Sequence, residues 1–217
     1  MSVPVPVLVP VRSFARAKRR LRTRFSSAEV EDLQRALLED VLALLAAARH
    51  VERRIVLTGD AAVAAAVRAH GAEVHWLDPD PGLNPALEQA LAWLRDEGCA
   101  AALILLGDLP LLEPSHVDAL IEAGQRHGLA GIASLDGGTA LLYEAPPGCI
   151  PARFGPESFE AHRAAARTCG LELHNLELDD ELACLDLDTP EDAHRIAASG
   201  RACRTAELLR KLGRCDP

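Results

Sequence analysis

The sequence predicts a single α/β domain with a mostly parallel central sheet and helices on both faces. Short apolar segments alternate with longer segments of helical periodicity, which is typical of parallel strands joined by helices. The segment 101–106 is continuously apolar, as expected of a central parallel strand buried on both faces. The length of 217 residues fits one domain, and no internal repeat or low-complexity linker divides the chain.

The first half of the chain shows the alternation clearly. A strand at 3–9 precedes a basic loop, and Ser26 and Glu29 then form a capping-box pair that opens a long helix through Leu45. The elements predicted next are a strand at 54–57, an Ala-rich helix ending at Gly71, a strand at 74–77, a helix from Asn84 to Gly98 and the strand at 101–106.

The second half continues in the same way up to a short C-terminal segment. Its predicted elements are a helix from Pro114, strands at 129–135 and 140–144, a helix at 156–170, strands at 171–178 and 182–187, and a helix opened by Thr189 and Pro190. We therefore expect one domain over residues 1–200 and an appended tail over 201–217.

Charge and composition exclude several classes of function. A net charge of −9 argues against a protein that binds nucleic acid or an anionic membrane by bulk attraction. No segment approaches the length of a transmembrane helix, and the cysteines never form a C-x-x-C pair, so we expect reduced thiols and a cytoplasmic location. These cysteines are Cys99, Cys149, Cys169, Cys184, Cys203 and Cys215.

Three aspartates are candidate metal ligands. Asp108 directly follows the most apolar strand, where ligand crevices form in open α/β sheets. Asp186 lies in the predicted strand 182–187, and Asp188 directly follows that strand. Because they are two residues apart in an extended chain, their side chains should project to the same side. Two neighbouring like charges repel each other unless a cation lies close, and oxygen ligands suit Mg²⁺ bridging to phosphates.

Structural roles for these aspartates stay open at this point. Asp108 can be a turn or helix-capping residue before Pro110. Asp188 or Thr189 can cap the helix opened by Pro190, with Asp192 completing a capping box. The D-x-D pair also occurs in haloacid-dehalogenase phosphatases, but there it follows the first strand, so we reject that class.

A cluster of basic residues follows the first predicted strand and should lie over the same sheet edge. We expect Arg12 and Lys18 to contact a triphosphate, and the other members to be solvated side chains. Neither a G-x-G-x-x-G nor a P-loop motif is present, which argues against dinucleotide binding and P-loop hydrolysis. The cluster consists of Arg12, Arg16, Lys18, Arg19, Arg20, Arg22 and Arg24.

The segment 153–159 is a candidate anion site. Gly155 permits close backbone approach, and a helix opened by Pro156 would offer the N–H groups of Glu157 and Ser158, with the Ser158 hydroxyl as a further donor. Thr139, after two glycines, is a second hydroxyl candidate. An ordinary Gly-Pro helix start and an ordinary turn explain the same patterns.

Together these segments resemble the 2-phospho-L-lactate guanylyltransferases of coenzyme F-420 biosynthesis. The resemblance covers residues 10–192 and is most specific over 153–159. It is carried by Pro10-Val11-Arg12, Ala17-Lys18-Arg19-Arg20-Leu21, Gly82-Leu83-Asn84, Gly107-Asp108-Leu109-Pro110, Gly138-Thr139, the run from Ile150 to Phe159, and Leu185-Asp186-Leu187-Asp188-Thr189-Pro190.

The resemblance implies a Rossmann-like, GT-A-like nucleotidyltransferase fold and transfer of GMP from GTP to a small phosphorylated acid, which could be 2-phospho-L-lactate, phosphoenolpyruvate or 3-phosphoglycerate. A homodimer stays open, as do another nucleotidyltransferase of this fold and a non-catalytic nucleotide-binding protein. The residues it implies are Asp108, Asp186 and Asp188 for Mg²⁺ and catalysis, Lys18 beside the triphosphate and in catalysis, and Thr139, Gly155 and Ser158 for the acceptor. Arg12 of the basic cluster is our further candidate for nucleotide binding. Asn84 is our candidate for placing the guanine base, although an Asn followed by Pro85 can equally be a helix N-cap.

Two positions depart from the family pattern. Arg12 stands where the family often has Lys, and Ala140 follows Thr139 where Asn is common. Because the second change lies beside the expected acceptor site, the sequence does not choose among the three acids.

Overall fold

A computed structural model of the chain describes residues 3–14 and 18–213. Arg16 of the basic cluster, Ala17 and Cys215 lie outside these residues. Within them, seven strands form one sheet in the order β3-β2-β1-β4-β6-β5-β7. The strands are β1 (Val5–Pro10), β2 (Val51–Thr58), β3 (Glu73–Trp76), β4 (Ala102–Leu105), β5 (Leu129–Ala133), β6 (Thr139–Glu144) and β7 (His174–Asn175).

The sheet is mostly parallel, as predicted, with one strand reversed. β1 pairs in parallel with β2 and β4, and β2 with β3, whereas β6 runs antiparallel between β4 and β5. Leu105 pairs with Leu141, so β6 starts at the edge where β4 ends. The carboxyl ends of β1, β2 and β4 and the beginning of β6 therefore meet at one edge of the sheet.

Helices cover both faces of the sheet. They are α1 (Ser27–Ala47), α2 (Ala61–Ala69), α3 (Leu83–Asp96), α4 (Pro114–His127), α5 (Ser158–Thr168), α6 (Pro190–Ala198) and α7 (Arg204–Leu212), with a short 3-10 helix at Leu21–Thr23. Side chains of β1 alternate between the two faces. Val7 and Val9 pack with residues of α1 and α4, while Leu8 packs with residues of α3 and α5.

The segment after Gly200, expected to be an appended tail, contains helix α7. Ala206 and Leu209 of α7 are fully buried in a third core cluster with Leu33 of α1 and Ile196 of α6. The backbone N–H groups of Arg204 and Thr205 donate to the Asp40 carboxylate. Residues 204–212 thus share a hydrophobic core with the rest of the domain.

Three predicted elements differ from the structure, one in its type and two in their extent. The segment 182–187 is not a strand, because Leu185 N–H bonds Leu182 O within a turn and Leu187 N–H bonds Asp108 O in a loop. Of the predicted strand 171–178, only His174–Asn175 is strand. Helix α5 begins at Ser158 and not at Pro156, because Glu157 has φ 53°, a left-handed conformation.

At the opposite end of β6, one carboxyl group is fully buried. Glu144 has no exposed surface, and its Oε2 accepts a hydrogen bond from Gly148 N–H at 2.7 Å. Within the described part of the chain, its Oε1 is a buried oxygen without a hydrogen-bond partner. Burial raises the pKa of Glu144 to about 7.

Candidate active site

Three carboxylates come together at the edge of the sheet where β4 ends. Asp108, Asp186 and Asp188 each offer an oxygen atom, and these atoms lie within 4.8 Å of one another. The pairing of Leu187 N–H with Asp108 O, at 3.1 Å, holds the two loops together. Although 182–187 is not a strand, residues 185–188 still alternate: Leu185 and Leu187 are buried in the core, and the two aspartates are partly exposed.

The structure removes the capping roles that the sequence left open. Thr189 caps α6, and its side chain and Asp192 form the complete capping box, so the Asp188 carboxylate is not the cap. Glu113 is the N-cap of α4, so Asp108 caps no helix either. The carboxylates of Asp108 and Asp188 are instead directed to the same cation, Lys18.

Lys18 lies between two of the carboxylates. Its Nζ is 2.6 Å from Asp108 Oδ2 and 2.5 Å from Asp188 Oδ1, and its side chain is only 9% exposed. Burial disfavours the charged amine, but the two carboxylates outweigh it and raise the pKa of Lys18. Lys18 has φ 55°, which costs about 1–2 kcal/mol for a non-glycine residue, and the double ion pair offsets this cost.

The cluster keeps capacity for a further cation. Asp108 Oδ1 is buried and, among the described residues, has no hydrogen-bond partner. Burial and then the charges of Asp108 and Asp188 raise the pKa of Asp186 to about 6, with Lys18 compensating only in part. Three oxygen ligands with an orphaned buried oxygen match the donor set of a hard divalent cation such as Mg²⁺.

A cleft of about 750 Å³ opens beside this cluster and is lined by part of the basic cluster. Its cationic residues are Arg12, Lys18, Arg19 and Arg20. Arg12 is exposed, and its Nε lies 3.8 Å from Asp80 Oδ2. The carboxylate Asp188 lines the same cleft, so a ligand there reaches the acidic cluster.

The sequence did not single out five other residues that line the cleft, which are Gly59, Asp60, Leu77, Asp78 and Asp80. Gly59 allows the loops after β2 and β3 to touch, because a Cβ there would lie 2.3 Å from Leu77 O. Asp60 caps α2 through the N–H groups of Ala62 and Val63. The Thr58-Gly59-Asp60 sequence at the end of β2 was the available signal for this part of the cleft.

The three predicted acceptor residues lie together. Ser158 Oγ and Thr139 Oγ1 are 3.0 Å apart, and Ser158 N–H donates to Gly155 O at 3.2 Å. Gly155 has φ 148°, in the region that favours glycine. The Ser158 N–H is therefore used within the protein, contrary to the expectation that it is unpaired, and Phe159 N–H bonds Gly137 O.

His162 is a buried residue of this region that the sequence did not single out. Its Nδ1 lies 2.9 Å from Thr139 Oγ1, and its Nε2 accepts the N–H of Arg153 at 2.9 Å. It has no exposed surface. Its spacing of four residues from Ser158 places both on one helix face, but nothing in the sequence distinguishes it from an ordinary core histidine.

Asn84 is the N2 residue of α3 and not its N-cap, which is Gly82. Its Oδ1 accepts the N–H of Phe154 at 2.8 Å, and its Nδ2 donates to Phe154 O at 3.0 Å. Both side-chain polar atoms therefore hold the backbone beside Gly155. Each of these atoms keeps capacity for one further hydrogen bond, because the amide oxygen has two lone pairs and the amide nitrogen has two hydrogens.

The turn before Thr139 connects the acceptor residues to the acidic cluster. Asp136 Oδ1 accepts hydrogen bonds from Ser134 Oγ and Gly138 N–H. The negative charge of Asp136 also contributes, after that of Asp108 and Asp188, to the raised pKa of Asp186. The turn that precedes Thr139 thus lies close enough to Asp186 for an electrostatic interaction.

The model of a family described as guanylyl transferase CofC like matches residues 5–215. The chain belongs to this family. Phosphoenolpyruvate guanylyltransferase of Sphaerobacter thermophilus is 35% identical over 191 residues, which cover 88% of this chain and 91% of the relative. 3-Phospho-D-glycerate guanylyltransferase of Phenylobacterium zucineum is 38% identical, covering 94% and 95%. 2-Phospho-L-lactate guanylyltransferase of Methanothermobacter thermautotrophicus is 33% identical, covering 94% and 89%.

Solved structures show the same fold at low identity. A protein of Desulfovibrio desulfuricans G20, suggested to be a nucleotide-diphospho-sugar transferase, superposes with a TM-score of 0.81 at 19% identity over 98% of this chain and 96% of that one. A nucleotidyl transferase of Methanothermobacter gives 0.68 at 17% identity over 96% and 99%. The guanylyltransferase family and the nucleotidyltransferase fold predicted from the sequence are therefore confirmed.

None of the helices in the described ranges combines the length and apolar character needed to cross a bilayer.

Proposed function

We propose that this chain transfers GMP from GTP to the phosphate of a small phosphorylated carboxylic acid, with release of pyrophosphate. The observation that carries the proposal is the adjacency of three parts at one sheet edge. These parts are a cationic cleft, the cluster of Asp108, Asp186 and Asp188, and the hydroxyl pair of Thr139 and Ser158. The acids named for the relatives, phosphoenolpyruvate, 2-phospho-L-lactate and 3-phosphoglycerate, are the candidate acceptors.

The nucleotide half is the cleft. Lys18 and Arg12 supply positive charge for the triphosphate, and other polar residues that line the cleft supply groups for the base. The N–H groups at N1 and N2 of guanine can donate hydrogen bonds to a carboxylate, whereas adenine has no N–H at N1. Asp78 and Asp80 line the cleft and are the candidates for this recognition. Asn84 contributes through the loop it holds.

Asp108, Asp186 and Asp188 would hold the cation, which we assign as Mg²⁺. When bound, it neutralises negative charge on the phosphate oxygens. Lys18, which already bridges two of these carboxylates, is close enough to share that task. The orphaned Asp108 Oδ1 supports this assignment, because a buried carboxylate oxygen without a partner is costly.

The transfer needs no strong protein base. An acceptor phosphate oxygen is already anionic near neutral pH; it forms a bond to the α-phosphorus of GTP, and the bond from that phosphorus to the bridging oxygen breaks, so pyrophosphate leaves with the electron pair. The protein's contribution is positioning and charge neutralisation by Lys18 and the other cleft cations. Thr139, Gly155 and Ser158 hold the acceptor near the acidic cluster.

We also propose a cytoplasmic location, because GTP and phosphorylated acids are metabolites of that compartment. The described cysteines are free thiols in the structure, as is usual for proteins of that compartment. A homodimer remains a proposal that size-exclusion chromatography with light scattering can test.

Pyrophosphate release from GTP with each of the three acids, with and without Mg²⁺, tests the proposed function. We expect release that requires both an acid and the metal, with one acid preferred. The Asp188→Ala variant should lose this release, because it removes a carboxylate of the cluster. Its matched control is the Asp179→Ala variant, which removes an exposed aspartate outside the cluster. Absence of release with all three acids and Mg²⁺ would contradict the proposed activity.

A further inference from the structure

We propose that His162 is a positioning residue of the acceptor half-site, a role that rests on the proposed function. The fully buried imidazole contacts two parts of that half-site at once. Its Nδ1 is 2.9 Å from the Thr139 hydroxyl, and its Nε2 is 2.9 Å from the Arg153 N–H. The ring therefore connects the hydroxyl pair to the backbone that precedes Gly155.

The hydrogen bond from Arg153 fixes the form of the ring. A backbone N–H can only donate, so Nε2 must present its lone pair. Burial, followed by the charge of Arg153, lowers the pKa of His162 to about 4, so the ring is neutral. A neutral ring carries one N–H, which is therefore at Nδ1. This N–H donates to Thr139 Oγ1, and a further hydrogen bond of the ring with the Ser158 backbone opposes the lowering of its pKa.

This tautomer decides how many hydroxyl hydrogens remain for a ligand. Thr139 and Ser158 have two hydroxyl hydrogens, and their 3.0 Å contact uses one. If Nδ1 were an acceptor, Thr139 would donate to it and Ser158 would donate to Thr139, which uses both hydrogens. Because Nδ1 donates, one hydroxyl hydrogen is left over, and it can be given to an anionic oxygen of the acceptor.

The same ring holds the neighbouring loop. Arg153 N–H is bound by His162, and the N–H and C=O groups of Phe154 are bound by Asn84. Two side chains from different helices thus fix consecutive residues directly before Gly155. Gly155 O in turn accepts the Ser158 N–H. Loss of the His162 bonds should release the loop and misplace the hydroxyl pair together.

Three substitutions separate the two hydrogen bonds from packing. In His162→Asn the amide nitrogen can occupy the place of Nδ1, so the Thr139 bond is kept and the Arg153 bond is lost. In His162→Gln the amide oxygen can occupy the place of Nε2, so the Arg153 bond is kept and the Thr139 bond is lost. His162→Phe keeps a ring, including the edge contact with Phe154 at 4.7 Å between centroids, and loses both bonds.

We expect His162→Phe to raise the KM for the acceptor roughly tenfold or more, as the loss of buried hydrogen bonds implies, while the KM for GTP stays within about twofold. The Asn and Gln variants should fall between wild type and Phe. The control is His127→Phe, which replaces a ring stacked on His174 at 3.9 Å near the opposite end of the sheet and should change neither KM. A folded His162→Phe variant with an unchanged acceptor KM overturns the proposal.

A measurement on the unaltered chain covers the case in which the variants do not fold. In ¹⁵N-labelled protein, one histidine should show an Nδ1–H, Nε2-unprotonated ring that stays neutral down to about pH 5, and its signals should shift on addition of the preferred acid but not of GTP. An Nε2–H ring at this position would overturn the proposal whether or not turnover is found. If the wild-type protein releases no pyrophosphate from GTP with any of the acids, the proposed function is wrong. The protonation of the His162 ring nitrogens then still tests the present proposal separately.

Discussion

The buried carboxyl of Glu144 should make the stability of the protein fall as pH rises. Its pKa is about 7 in the folded chain, against 4.5 as the ordinary value, because burial disfavours the ionised form. The folded state therefore binds the proton more tightly than the unfolded state does. The stabilisation from the protonated carboxyl is complete below about pH 4.5 and is lost as pH rises to about 7.

The size of this effect follows from the two pKa values. A tenfold change in proton affinity corresponds to about 1.4 kcal/mol, so the difference between 7 and 4.5 corresponds to about 3 kcal/mol. Solvent screening reduces this little, because Glu144 has no exposed surface. The Glu144→Gln variant stays neutral at every pH, and its amide oxygen can still accept the Gly148 N–H. We expect the variant to gain up to about 3 kcal/mol relative to wild type between pH 5 and pH 8.

Urea unfolding at pH 5 and at pH 8, on wild type and Glu144→Gln, measures this gain as the change in the difference of unfolding free energies. Effects of pH on other groups cancel in that difference. The control is Glu172→Gln, which makes the same substitution at an exposed position. A Glu144→Gln difference that is equal at both pH values would refute the reasoning, and so would a relative loss at pH 8.

Three further predictions concern the proposed site. Asp188→Ala should remain folded by circular dichroism and lose nearly all transfer activity, because it removes a ligand of the carboxylate cluster; near-normal turnover at ordinary Mg²⁺ would falsify the metal role. Ser158→Ala should weaken apparent acceptor affinity by about 1.5–3 kcal/mol, or about 10–150-fold in KM, with little change for GTP; the reverse pattern would mean that this helix end holds the nucleotide. GTP should release pyrophosphate faster than ATP at matched concentrations, and Asp78→Asn should narrow that ratio; equal rates in wild type would refute the guanine assignment.

Local patterns determined much of the fold from the sequence alone. The capping boxes of Ser26 with Glu29 and of Thr189 with Asp192 form as the spacing predicts, because a cap involves residues only three apart. The apolar strand 101–106 contains β4, buried on both faces. The outward projection of Asp186 and Asp188 also followed from alternation, although their segment has no strand partner.

Only the tertiary structure decided which distant residues meet. Lys18 reaches Asp188 across 170 positions, and Thr139 meets His162 across 23. No periodicity reports such contacts, since they depend on where whole elements pack. The start of α5 was mispredicted for the same reason: Glu157 adopts a left-handed conformation while Phe159 N–H bonds Gly137 O in another loop. The sequence alone thus singled out the acidic and hydroxyl residues as candidates, and the packing of the loops around them decided which hydrogen bonds those residues make within the protein.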